Sequence, residues 1–427
     1  MTSNYHDHSD LNSLFFNPLV QVYPLADCSY QCSSISDLDF AKLGILRCLS
    51  HAKTGHQFLQ HHADQGQQDI DPSHFFKTLR SKRRLKNTSS LNELLRSTIQ
   101  SEMNDPFADF KELQKVDIYA ADGHYHHAAA FDPKPTNPGE KANATGHFFR
   151  LDLRNHHLGH LALGLPDKGK KRSHDVTIIK QADVKTLRNN ALKGRKVLYA
   201  WDKACIDYVL WSRLKHLHGI YFITLEKSNS AATICSINRI DKSDPCNEGI
   251  SGDYLVGNNN GEAMRRIIYT DPRDGTTYIY ITNEMTIPAY QLVMIYKHRW
   301  DIEKVFYQLK SKMEERKSWA SSPTAKSHQA IFECLAHNLC LLVEERMKSE
   351  GLKDEVEETK AKGREKSRKN RDGKTLGPHN NFIGEAIKRA THRTSRFIRW
   401  LQSALYKQCS LVEAIAMLVR VWSLRKI

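Results

Sequence analysis

At 427 residues, with a formal net charge of +15 and a pI near 9.3, the chain is long enough for two or three domains and a sizeable core. So basic a balance points to a polyanionic partner. No run of about 18 apolar residues occurs, so neither a transmembrane helix nor a membrane partner is expected. The opening MTSNYHDHSD lacks the pattern of a signal peptide, and nine scattered cysteines read as reduced thiols of a cytoplasmic protein. Cys28 and Cys32 have no second pair to complete a zinc site, and His126-His127 and His156-His157 lack metal-ligand spacing.

Residues 1 to about 35 are polar and show no clear period. Ser36 caps a predicted helix from Asp37, whose Leu38, Ala41, Ile45, Leu46 and Leu49 share one face. A second helix is expected from Asp71-Pro72 to Leu79, ending in the basic run Arg80-Ser81-Lys82-Arg83-Arg84, and a third from Ser90. Short helices with a basic cluster give residues 1–114 the reading of a helical, DNA-binding region. A solvated helix end is the plainer account of that cluster.

Residues 115–345 change character. VDIYAADG is a strand ending at Asp122-Gly123, and strands are expected in HHAAAFD, GHFFRLDLR and HHLGHLALG. A helix follows around Ile178–Leu192, then the apolar strand 196–201 ending at Asp202, a helix over 203–217 and a strand over 219–224. Strands first, then helix and strand in alternation, predict an α/β fold with a mixed sheet. Asp122 and Asp202 stand at strand ends, where side chains are available to a site above the sheet edge. Asp117, early in its strand, and Asp207, inside a predicted helix, are rival positions.

Residues 226–287 read as all-β. RRIIYT and TYIYIT flank Asp271-Pro272-Arg273-Asp274-Gly275, a strong hairpin signal, and Asn258–Gly261 marks another turn. Then comes YKHRWDIEKVFYQLK. On a helix turning about 100° per residue, Tyr296, Arg299, Glu303 and Lys310 fall within an arc of roughly 60°. Ile295, Ile302, Val305, Phe306 and Leu309 form the neighbouring apolar stripe. A carboxylate flanked by cations and a phenol suits phosphodiester chemistry, because the carboxylate can hold a metal and the cations phosphate. Charged residues at this spacing also form plain solvated faces and i,i+4 pairs. A helix with Ile331, Leu335, Leu339 and Val343 follows. Residues 346–381 read as a charged flexible linker and 382–427 as a C-terminal helical region.

The Y-x2-R-x3-E-x6-K spacing resembles the signature of the DDE transposases of the insertion-sequence "four" family, and Asn283, Trp300 and Phe306 look like that family too. The resemblance implies a ribonuclease H-like core whose β-rich insertion separates the second Asp from the Glu, with helical regions on either side. It implies a catalytic and metal-binding triad of Asp122, Asp202 and Glu303 holding two Mg2+ or Mn2+ ions. Tyr296, Arg299, Lys310 and Trp300 would contact DNA. The function implied is metal-dependent cleavage and strand transfer of an insertion sequence, in cut-and-paste transposition. The partners would be double-stranded transposon ends and target, with a homodimer in the DNA complex. Trp300 and Trp201 are candidates for stacking on a flipped base, Trp201 being better read as core. The alternatives are a catalytically inactive DNA-binding relative or inhibitor, against which all three acids are present, and a ribonuclease H-like nuclease, against which the insertion argues.

Overall fold

A computed structural model describes residues 10–26, 35–133, 144–165, 175–349, 383, 395–414 and 417, save 229, 231, 258–262, 312, 314–316 and 408. Cys28, Cys32, the Asn258–Gly261 turn and nearly all of the 346–381 linker lie outside the described residues. The described helices are α1 (Leu11–Val22), α2 (Asp37–Leu49), α3 (Gly55–Asp64), α4 (Pro72–Thr78), α5 (Lys82–Glu102), α6 (Asp175–Gln181), α7 (Val184–Arg188), α8 (Tyr208–His218), α9 (Ala289–His298), α10 (Trp300–Ser311), α11 (Pro323–Ser349) and α12 (Ser395–Leu405). The strands are β1 (Val116–His126), β2 (Thr145–Asp152), β3 (Leu158–Gly164), β4 (Lys196–Trp201), β5 (Ile220–Leu225), β6 (Thr233–Ile237), β7 (Ile250–Gly257), β8 (Ala263–Thr270) and β9 (Thr277–Thr282).

The strands form one mixed sheet, ordered β3-β2-β1-β4-β5-β9-β8-β7-β6. The first five make the ribonuclease H-like core: β1 runs antiparallel to β2 and parallel to β4, and β4 runs parallel to β5. The insertion extends the same sheet, because β9 pairs antiparallel with β5. The β8–β9 hairpin closes on Asp271–Thr276, with Gly275 at φ 71° as the turn demands.

Parallel strands need cover on both faces, and the alternation supplies it. Ile118, Ala120, Leu198 and Ala200 face one large apolar core with α1, α2, α5 and α9–α11. Tyr119, Ala121, Val197, Tyr199 and Trp201 face a second, with residues of α6, α7 and α8. The N-terminal helices therefore share the sheet's first core: Leu91 and Leu95 of α5 bury with Leu335 and Leu339 of α11.

Several sequence expectations need correction. Residues 11–22, read as aperiodic, form α1, and residues 55–64, to which no element was assigned, form α3. Asp10 and Thr54 cap them, and their burial comes from tertiary contacts that a short period cannot reveal. The basic run does not end α4. It opens α5, with Ser81 as N-cap, and the helix runs unbroken through Ser90. Cations at a helix N-terminus oppose the dipole. Buried Asp37 offsets this, pairing with Arg83 and, at 3.0 Å, with Arg84. Asp122-Gly123 does not end β1, which continues to His126 on its pairing with β2, and residues 127–132 form no strand.

Asn338 of α11 holds three layers together. Its Oδ1 accepts from Leu158 N–H at 2.8 Å, and its Nδ2 donates to Asn92 Oδ1 at 2.9 Å and Leu158 O at 3.0 Å. All lie out of solvent, so Asn338→Leu orphans groups on α5 and β3 together. The expected cost is about 2–4 kcal/mol, read as a fall in the urea midpoint at unchanged m-value.

Candidate active site

Asp122 and Asp202 are brought together by register. The parallel β1–β4 ladder ends at Ala121↔Trp201, so each aspartate is the next residue along the chain, Asp122 still within β1 and Asp202 just past the end of β4. Asp202 stays extended at φ −70° and ψ 152°. By strand alternation both follow Ala120 and Ala200 onto the face covered by α9 and α10. Adjacent strands at about 4.8 Å make their backbones near neighbours.

Glu303 stands in the first turn of α10, partly exposed. Arg299 links it to the sheet. Its Nη2 lies 2.8 Å from Glu303 Oε1 and its Nη1 3.5 Å from Asp122 Oδ2, with the arginine side chain only 7% exposed. The i,i+4 pair of the plainer account is therefore present, but sheltered and shared with a second carboxylate. Burial works against the guanidinium's charge, but Tyr296, Glu303 and Asp122 together raise its pKa above the ordinary arginine value.

The four motif residues do not sit on one straight helix. The ladder tightens at Arg299, whose N–H bonds Tyr296 O and whose carbonyl receives Ile302 N–H, three-residue steps that separate α9 from α10. Tyr296 consequently turns into the core beside Tyr280, ring centroids 5.1 Å apart. Burial pushes its phenol above the usual range; Arg299 counters this and Asp202 adds to it. Lys310 is exposed at the far end of α10, close enough to His124 that burial and this ammonium together push the imidazole down to about 3. Trp300 is 59% exposed with the Arg299 guanidinium 5.9 Å from its ring centroid. Trp201 is core, against Tyr199 and Trp211.

The rival aspartates have structural partners. Asp117 accepts at one oxygen, Oδ1, from Arg195 Nε at 2.9 Å and Nη2 at 2.7 Å. Asp207 caps α8 through Leu210 N–H and pairs with Lys180. Asn283 serves the fold as well, accepting from Phe222 N–H at 2.9 Å.

The donor chemistry of Asp122, Asp202 and Glu303 fits a hard divalent cation: all are carboxylates, two are register neighbours, and one guanidinium already balances two of them. Among the described residues, Asp122, Asp202 and Glu303 included, no three His, Cys, Asp or Glu side chains are grouped so that they could hold a metal ion together. That includes the histidines of β1 and β2, where buried His126 instead meets buried Glu333 at 3.2 Å.

Sequence reasoning missed Asp301. It is buried and meets His298 Nδ1 at 3.2 Å, His156 Nε2 at 3.7 Å and Lys304. This ties the start of α10 to the β2–β3 turn, where His156 adopts φ 61°. The H-x2-D-x2-K spacing of 298, 301 and 304 was the available signal. Burial opposes the Asp301 charge, yet bonds from His156 and His298, with Lys304, outweigh it and hold the carboxyl far below the usual range.

Asp301→Asn is therefore expected to lower stability by about 3 kcal/mol at neutral pH. A depressed carboxyl contributes fully above its unfolded pKa, near 4, and progressively less as pH falls. The gap between wild type and variant, measured by denaturant unfolding, should hold from pH 7 to 5 and narrow below pH 4.

Residues 113–339, more than half of the chain, match the family model described as a transposase DDE domain. The chain is also 25% identical over 179 residues to "Putative transposase y4zB" of Sinorhizobium fredii (strain NBRC 101917 / NGR234). That match covers 41% of this chain and 50% of the relative, so the chain spans about half the length of the curated protein it matches. No described helix is long and apolar enough to cross a membrane. With a sheet of the expected order and a family model spanning it, the chain belongs to the DDE transposases.

Proposed function

We propose that this chain is a transposase of the insertion-sequence "four" family, cleaving and joining DNA strands in cut-and-paste transposition with Asp122, Asp202 and Glu303 as its catalytic acids. The observation that carries this reading is the β1–β4 register, which makes Asp122 and Asp202 neighbours on the face that α10 covers. When bound by the three carboxylates, two Mg2+ or Mn2+ ions would activate the attacking oxygen and stabilise the leaving one. The DNA partners are the element's ends and its target, engaged by a homodimer in the cytoplasm.

The chain's own residues then position the strand. Lys310, exposed at the end of α10, holds phosphate as a point charge. Arg299 holds Asp122 and Glu303 until cations balance them, and is then available for a bidentate phosphate contact. Tyr296, beside that guanidinium, donates a hydrogen bond to the same phosphate. Trp300 offers an open ring for stacking, worth roughly 1–3 kcal/mol per base. Residues 1–114 contribute backbone contacts through Arg80 and Lys82, exposed members of a run whose Arg83 and Arg84 are engaged by Asp37. The closed Arg299 clamp favours one competing reading, a DNA-binding relative without catalysis.

Glu303→Gln separates the two. It removes a metal ligand's charge and no phosphate contact. On linear DNA carrying the ends that flank the gene, with Mg2+, cleavage should fall at least about 10³-fold, roughly 4 kcal/mol of barrier. End binding should stay within twofold. Equal loss of both would make Glu303 structural, and a wild type inert on those ends would favour the non-catalytic reading.

Arg299 makes a second test. With Ca2+ present, Arg299→Ala should flatten the slope of log affinity against log salt by about one unit. In EDTA the slope should not change, because the carboxylates then hold the guanidinium. Lys310→Ala should flatten it under both conditions. A slope unchanged by Arg299→Ala in both would leave Arg299 a carboxylate clamp and nothing more.

A further inference from the structure

A cavity of about 710 Å³ lies at the end of α10 away from Glu303, between α3, α4 and residues 317–321. Among the described residues, Arg47, Lys53, His56, Arg80 and Lys317 line it, and no carboxylate does. Phe76, Phe131 and Trp319 supply three aromatic rings. Cations with flat apolar faces and no acid are the chemistry of an unpaired nucleotide, whose base offers a π-face and whose phosphate carries the charge.

The walls are held in place. Trp319 N–H donates to Gln329 Oε1 at 2.9 Å, and the Arg47 guanidinium sits 5.3 Å from the Trp319 ring centroid. Phe76 rests on the first residue of α3: a Cβ on Gly55 would come 2.2 Å from its Cζ. Phe131 is 91% exposed, an unusual place for so large an apolar ring. Its loop is fixed, because Asp132 accepts Ala129 N–H at 2.8 Å and pairs with buried Lys326 at 2.9 Å.

Position gives the cavity its meaning. Both elements that carry acids of the proposed site lead to it. α10 covers about 12 Å from Glu303 to Ser311 at 1.5 Å per residue, and Met313 then lines the cavity. β1 covers about 13 Å from Asp122 to His126 at 3.3 Å per residue. His127 then bridges to Lys317, and Ser318 N–H bonds His127 O at 2.9 Å. Exposed Lys310 stands between. A DNA strand leaving the carboxylates along α10 reaches the cavity after about four base-pair steps of 3.4 Å.

We propose that this cavity receives an unpaired nucleotide of that strand, its base against Phe131 and Trp319 and its phosphate held by Arg80 and Lys317. The proposal rests on the reading of the chain as a DNA-processing enzyme. It adds a base-holding site distinct from Trp300.

The test uses the full chain in EDTA and fluorescence anisotropy with two probes: fluorescein-labelled dT12, and an abasic 12-mer of the same backbone. Wild type should prefer dT12 at least about fivefold. Phe131→Ala combined with Trp319→Ala should bring the preference below twofold and leave abasic affinity unchanged. Phe131→Ala alone, at an exposed position that cannot unfold the chain, should reduce it measurably. Arg80→Ala should weaken both probes alike and flatten the salt slope by about one unit. Equal binding of both probes by wild type, or a preference that survives the double variant, overturns the proposal. Glu303→Gln should keep the preference. Base preference without metal-dependent end cleavage would sink the cleavage reading alone, whereas cleavage without base preference would sink the cavity alone.

Discussion

The pairing of β1 with β4 is the constraint on which the rest depends. Both strands are buried on two faces, so a slip of one residue would exchange the small Ala120 and Ala200 for Tyr119, Tyr199 and Trp201 on the wrong side. Neither core could absorb that change in volume. The register is thus fixed by packing, and its fixing also decides where Asp122 and Asp202 lie. The acids need no interaction of their own to become neighbours. They inherit their position from the alternation of small and large residues behind them.

The same economy governs the third acid. Glu303 is aimed by the break at Arg299, where two three-residue hydrogen bonds rotate α10 relative to α9. Ile302, Val305 and Leu309 then bury on the sheet side and leave Glu303 and Lys310 outward. Asp301 locks the break by engaging His298 before it, Lys304 after it and His156 on the β2–β3 turn. The junction that bends the motif is therefore the best-anchored point of the helix pair.

Much of this was legible in the chain. The apolar run of β4, the turn residues of the β8–β9 hairpin, the Ser36 cap, the helix start at Asp71-Pro72 and the apolar stripe of α10 are local signals, and each appears where it was read. Two kinds of feature were not legible. The straight helix drawn through Tyr296–Lys310 failed because spacing carries no record of where a ladder tightens. The break sets Tyr296 beside Tyr280, with the Arg299 guanidinium 5.5 Å from its ring centroid. Contacts distant in sequence were also silent. The Asn92–Leu158–Asn338 clamp, the Asp37 pairing that lets a basic run open α5, and the joining of the insertion to β5 are set by tertiary geometry alone.

Charge explains why the proposed site needs its arginine. The chain carries +15 overall, yet three of its carboxylates would meet a phosphate backbone at one place. Uncompensated, neighbouring acids raise one another's pKa and repel an incoming anion. A guanidinium shared by Asp122 and Glu303 places a positive charge between these two carboxylates without a metal. Lysine could not do the same, since a compact ammonium lacks the planar fork that spans two carboxylates. On this reading Arg299 preserves the site in the absence of cations. The same side chain is also the one best placed to take phosphate when they arrive.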